Sequence, residues 1–188
     1  ICSAIQNKYG IDAVPHLVCG GFTKEDTENA LIDLNFLGID NILALRGDPR
    51  KGESSFVPEP TGNRNSTDLM SQIRNMNQGI YLDQDLQGGA SDFCYGGACY
   101  PEKYLESPNM DTDLEWMKFK RNLGADFFVT QMFFDNGAYW SFVDKCRKNG
   151  IDAPIIPGIK PITTKSQLWT LPRVFGIDIP RDLAKEIE

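Results

Sequence analysis

The sequence predicts an α/β fold built on a parallel sheet, and two observations carry that prediction. The stretch Ile42-Leu43-Ala44-Leu45-Arg46-Gly47-Asp48 runs four apolar residues without alternation into a polar trio, with Pro49 behind it. Such a run reads as a strand buried on both faces, the habit of parallel sheets, with its polar end where α/β folds keep their chemistry. Strand-like and helix-like segments then alternate along the chain in five units, beginning near positions 13, 41, 93, 126 and 154. Alternation of this kind calls for strands joined by covering helices.

The elements follow in order. Ile1-Cys2-Ser3-Ala4-Ile5 reads as a helix already under way. Residues 13–19 are apolar enough for a strand, with Pro15 near its beginning, His16 near its middle and Gly20-Gly21 at its end. Thr23, Glu25 and Asp26 supply a cap and first-turn acids for a helix to Leu37, whose apolar face is Ala30, Leu31, Leu34 and Leu37. Gly38 stops it and residues 41–45 are the next strand. Residues 49–64 lack periodicity and predict an exposed loop, of the kind that carries ligand contacts. Ser66 or Thr67 caps a helix through Met76, and residues 77–91 form a second loop in which Ile80-Tyr81-Leu82 packs.

Residues 93–100 predict a strand broken by Gly96-Gly97, closed by Pro101 and Glu102. Residues 110–123 predict a helix with Leu114, Met117 and Leu123 inward, ended by Gly124. Residues 126–134 give the strongest strand pattern, with Thr130 and Gln131 as embedded polar groups that require partners. Asn136 opens a helix to Gly150, residues 154–159 form the last strand, and helices follow from Lys165 and Arg181.

Five strands suit an open doubly wound sheet, and a complete (β/α)8 barrel takes about 250 residues. However, the chain opens and closes inside helices, and no Gly-x-Gly-x-x-Gly follows a strand, so the dinucleotide fingerprint is missing. The reading is an incomplete (β/α)8 TIM-type barrel of about five β/α units, one domain over residues 1–188, with open sheet edges that invite homo-oligomers. The chain lacks an initiator Met, so its natural start is expected upstream.

With 19 basic and 26 acidic residues the formal charge is −7, which argues against a nucleic-acid surface. No stretch reaches the roughly 20 apolar residues of a membrane span, and there is no signal-peptide pattern. Five cysteines at spacings that fit neither zinc nor a disulfide framework predict free thiols, no metal and a cytoplasmic setting.

Single residues carry little by themselves. His16, the only histidine, reads as a polar strand residue, Arg46 and Asp48 as a strand-end ion pair, and Asp113 and Lys120 as charges sharing a helix face. Position changes the weight: His16, Arg46, Asp48, Tyr100 and Gln131 fall on or after strands, and in a parallel barrel the strand ends converge on one mouth.

Taken in order, Pro15-His16-Leu17, Ala44-Leu45-Arg46-Gly47-Asp48, Tyr100-Pro101-Glu102, Val129-Thr130-Gln131-Met132-Phe133-Phe134-Asp135 and Ile156-Pro157-Gly158-Ile159-Lys160-Pro161 closely resemble the methylenetetrahydrofolate reductase family. The resemblance implies an FAD-containing (β/α)8 barrel that reduces 5,10-methylenetetrahydrofolate to 5-methyltetrahydrofolate with NADH or NADPH. By that resemblance, hydride would pass from nicotinamide to flavin N5, and then from the reduced flavin to the folate that replaces the nicotinamide.

By the same resemblance, His16, Arg46, Gly47 and Asp48 match flavin contacts. Asp48 also lies close to folate, with a catalytic role in disfavouring the anionic reduced flavin. Asn65 and Ser66 match a cofactor-contacting pair and depart from a common Tyr-Ala. Tyr100 matches a flavin contact, and Tyr104 stands where many members have His. Leu105-Glu106-Ser107 replaces a common Pro-Glu-Ala. Asp113 and Lys120 match further cofactor contacts, Lys120 toward the pyrophosphate. Gln131 matches the amide that bonds the pterin and, in the other half-reaction, the nicotinamide. The family's general-acid glutamate belongs to a first strand, whereas this chain aligns with the third to seventh, so the isolated chain is expected to be a poor or inactive reductase.

Two rivals make different predictions. A flavin- or nucleotide-binding module without folate chemistry requires a strand order with a switch point. A barrel lyase using Lys160 or Asp48 requires no yellow cofactor.

Overall fold

A computed structural model describes residues 1–187 other than 51, 54, 84, 86 and 87. Those positions belong to the loops expected over 49–64 and 77–91, and that part of the expectation lies outside the described residues. Contacts divide the chain into two compact units, Ile1–Gly97 with Leu123–Asp126, and Ala98–Asn122 with Phe127–Glu188.

The first unit contains α1 (Cys2–Tyr9), β1 (His16–Val18), α2 (Lys24–Phe36), β2 (Asn41–Leu45), α3 (Ser66–Asn77) and the start of β3 (Cys94–Cys99). β2 sits between two parallel neighbours, with Leu43 opposite both His16 and Gly96. Two-sided pairing explains the apolar run, since Ile42, Leu43 and Ala44 are all buried. The N-terminus of α2 is a full capping box: Thr23 Oγ1 accepts from Asp26 N–H, and the Asp26 carboxylate accepts from Thr23 N–H, each at 3.0 Å.

Three expectations shift here. The buried face of α2 is Thr27, Glu28 and Leu31, while Leu37 is exposed. Glu28 is buried because its carboxylate accepts the Leu82 N–H at 2.8 Å. For the same reason the 80–82 segment is held by polar contacts, and Ile80 and Leu82 stay exposed instead of packing. The cap of α3 is Asn65 rather than Ser66 or Thr67. Its side chain accepts the Asp68 N–H at 3.0 Å, which leaves Ser66 inside the helix.

The second unit contains the end of β3, α4 (Met110–Asn122), β4 (Phe127–Thr130), α5 (Asn136–Lys148), β5 (Ile155–Ile156), α6 (Gln167–Phe175) and α7 (Arg181–Ile187). β4 and β5 are parallel, with Phe128 opposite Ile155. Leu114 and Met117 of α4, Phe128, and Phe142 and Cys146 of α5 are buried. Met132, Leu171 and Ile177 form a further core with Phe134 and Phe175 packed against it.

Both strands of this unit are shorter than their apolar runs. β4 stops at Thr130 because the Gln131 side chain accepts the Met132 N–H at 3.0 Å, and the aromatics beyond it turn to packing, Phe133 stacking on Tyr139 at 5.1 Å. β5 stops at Ile156 because Pro157 has no N–H and Gly158 donates to Thr130 Oγ1 at 2.8 Å.

The five-stranded sheet takes its strands in chain order, β1-β2-β3-β4-β5. This is the succession of a β/α barrel, and it lacks the reversal that the doubly wound rival requires. All five cysteines are free thiols. Among the described residues no helix is long and apolar enough to cross a membrane, and no group of three or more His, Cys, Asp or Glu side chains is placed to hold a metal ion.

Candidate functional site

The predicted residues fall in both units. In the first unit, β2 delivers Arg46, Gly47 and Asp48 beyond its last paired residue. Gly47 has φ of 91°, and a Cβ there would lie 3.5 Å from that of Val18, so glycine lets the chain turn closely past the end of β1. The carbonyls of Leu45 and Arg46 both accept from Cys19 N–H at 3.2 Å, which pins the turn. Arg46 is half-buried with its guanidinium 5.2 Å from the centre of the Phe56 ring, and Asp48 is exposed.

Asn65 joins this turn through its backbone, because the Cys19 thiol donates to Leu45 O at 3.3 Å and to Asn65 O at 3.4 Å. Burial, reinforced by Asp68 and opposed by Arg46, pushes the Cys19 thiol up to about 12. Ser66 follows Asn65, half-buried in the first turn of α3. His16 is exposed and opens β1 rather than standing at its middle, in register with Leu43.

In the second unit, Tyr100 leaves β3 and its ring meets that of Tyr104 at 4.6 Å, tilted by 37°. The turn between them is strained: Lys103 has φ of 83°, a region L side chains rarely adopt. Its ammonium donates to Tyr104 O at 2.9 Å and Ser107 O at 2.6 Å, and the buried Asp113 carboxylate accepts the Tyr104 N–H at 2.6 Å. Lys120, two turns further along α4, donates to Ala98 O at 3.0 Å. Its ammonium is enclosed, and that desolvation lowers its pKa, opposed by Cys99 and Asp113.

Gln131 continues the ladder one residue past β4, donating its N–H to Cys99 O at 2.8 Å. It lines a tight cleft with Tyr100, Glu102, Met132, Phe175 and Ile177, which as it stands has no room for a water-sized group. Tyr100 and Gln131 are therefore gathered in one place. Glu102 stands in that cleft as well, its carboxylate accepting the Asp178 N–H at 3.0 Å, and burial, with Asp178 and Asp135 nearby, raises its pKa. Sequence reasoning passed over it, although the Tyr-Pro-Glu motif contains it. Phe175 and Ile177 carried no signal, since they follow no strand.

Fold and residue placement thus define a β/α-barrel type of protein with polar groups at strand ends. A family profile for methylenetetrahydrofolate reductase matches residues 1–188, and the chain belongs to that family. It is 36% identical over 181 residues to methylenetetrahydrofolate reductase 1 of Schizosaccharomyces pombe, covering 96% of this chain and 28% of that protein. It is 33% identical to methylenetetrahydrofolate reductase (NADH) 1 of Arabidopsis thaliana, covering all of this chain and 31% of the relative. The chain therefore spans less than a third of the length of these relatives. Among solved structures, a Clostridium thermocellum protein described as binding two copies of 5-methyl-5,6,7,8-tetrahydrofolic acid superposes with a TM-score of 0.57 at 17% identity, over 98% of this chain and 57% of that one. A 2,3-dimethylmalate lyase gives 0.54 at 11% identity, over 99% and 54%. Both likenesses speak to the fold.

Proposed function

We propose that this chain is part of an FAD-dependent enzyme that reduces 5,10-methylenetetrahydrofolate to 5-methyltetrahydrofolate with NADH or NADPH. The observation that carries the reading is the juxtaposition of Tyr100 and Gln131, two family-motif residues, just past the ends of β3 and β4. Relatives with NADH and with NADPH in their names support a nicotinamide co-substrate. The proposal includes one partial barrel domain over residues 1–188, a cytoplasmic setting and homo-oligomers.

The residues fit an anionic, aromatic cofactor. Lys120 is an enclosed ammonium whose burial favours its neutral form, so an incoming phosphate would restore the attraction that desolvation removes. Tyr100 and Tyr104 offer paired aromatic surface on a braced turn. FAD, when bound, supplies the redox carrier between nicotinamide and folate. His16, Arg46, Gly47, Asn65, Ser66, Tyr100, Tyr104, Asp113 and Lys120 are proposed to hold it. Asp48 is assigned the catalytic role: its carboxylate disfavours negative charge on the cofactor and favours positive charge on folate. Gln131 orients the folate, and the nicotinamide in turn, by hydrogen bonding.

The test is a visible spectrum of the full-length protein carrying this sequence. Flavin bands that bleach with NADH or NADPH and return with methylenetetrahydrofolate are expected. Colourless protein, or reduced protein that folate leaves bleached, would sink the proposal.

A further inference from the structure

The turn after β3 is held from three sides. Asp113 fixes the Tyr104 N–H from α4, and the Lys103 ammonium ties the turn to itself through Tyr104 O and Ser107 O. The third attachment is to the segment behind α6. There Glu102 accepts the Asp178 N–H at 3.0 Å, and Leu105 sits against Gly176, where an added Cβ would fall 3.0 Å from Leu105 Cδ1. Gly176 has φ of 66° and ends α6, so the chain reverses at that point and brings Ile177 to the cleft. A left-handed lysine persists only where its surroundings over-determine it, and these contacts are what supply that constraint.

From this we infer that Glu102 is a positioning residue. Its carboxylate latches the Tyr100-to-Lys103 turn to the segment of Phe175 and Ile177, and thereby sets the spacing of the groups that surround Gln131 and must part to admit its ligand. The ligand part of this inference rests on the folate and nicotinamide reading above, whereas the latch does not. Glu102 touches Asp178 through one oxygen and donates nothing in that contact, so an amide oxygen of the same reach can replace it.

The experiment compares Glu102→Ala, Glu102→Asp and Glu102→Gln in the full-length protein, reading amide exchange over residues 175–180 and the KM for methylenetetrahydrofolate. Removing or shortening the acceptor is expected to speed exchange at Asp178 at least tenfold and to raise KM about tenfold, with kcat reduced less than twofold. Glu102→Gln is expected to recover most of both. Unchanged exchange in Glu102→Ala and Glu102→Asp would overturn the latch, as would a Glu102→Gln variant as impaired as Glu102→Ala. Faster exchange with an unaltered KM would overturn the link to the cleft. If the parent protein turns over no folate, the functional reading fails while exchange still decides the latch.

Discussion

Gly158 lies against the backbone of Thr130: its N–H donates to Thr130 Oγ1 at 2.8 Å, and a Cβ at position 158 would overlap the Thr130 carbonyl oxygen. The neighbour in the way is main chain at the end of β4, which cannot step aside as a flexible side chain would. Gly158→Ala should therefore destabilise the protein by about 1–3 kcal/mol, the range for forced overpacking. Urea midpoints of parent and variant measure it, and an unchanged midpoint would show that the two strand ends are not held this close.

Asp113 is buried with its carboxylate on the Tyr104 N–H. Asp113→Ala leaves that amide without its acceptor and should cost about 1–3 kcal/mol, while Asp113→Asn, which keeps an oxygen there, should cost less. Thermal unfolding ranks the two. If the Tyr100–Tyr104 surface holds flavin, bound-flavin content should fall in the same order.

The Lys120 pKa is lowered chiefly by burial. Below both the folded and unfolded pKa values the penalty is fully present, and it is relieved as pH climbs toward the ordinary lysine value of 10.5, where the unfolded lysine also loses its proton. Lys120→Met should thus lose ground to the parent as pH rises toward that value. Urea titrations of the ligand-free proteins across that range measure the difference, and parallel curves would contradict it.

For Cys19 the sign is reversed. An unfolded thiol ionises near 9, whereas the folded one is held protonated to about 12, so stability falls as pH rises between those values. Cys19→Ala should flatten that alkaline limb while costing about 1–2 kcal/mol at neutral pH. An equally steep limb in the variant would assign the loss to other groups.

Much of this arrangement is legible in the chain itself. The 41–45 strand is found with its expected bounds, because an uninterrupted apolar run ended by Arg-Gly-Asp-Pro admits few other structures. Tyr100 is legible at the end of the 93–100 strand, whereas Gln131 reads as embedded within 126–134 and instead stands one residue past β4. Pro157 already marks the end of β5, whereas the end of β4 is not legible, since an aromatic run looks alike whether it pairs as strand or packs as loop. Phe133 and Phe134 do the latter. Lys120 and Asp113 share a face as their spacing requires, yet their partners are a carbonyl and an amide of the main chain, which no side-chain pattern reveals. The role of Glu102 is illegible for that reason too, its partner being a backbone N–H at position 178.

The sheet order β1-β2-β3-β4-β5 also bears on how the molecule is made. Each strand after β1 finds a partner already synthesised when it leaves the ribosome, so no strand has to be inserted later between two that have paired. The longest wait is between β2 and β3, since β3 begins at Cys94 and β2 ends at Leu45, and over that interval the apolar edge of β2 stands open to other nascent chains.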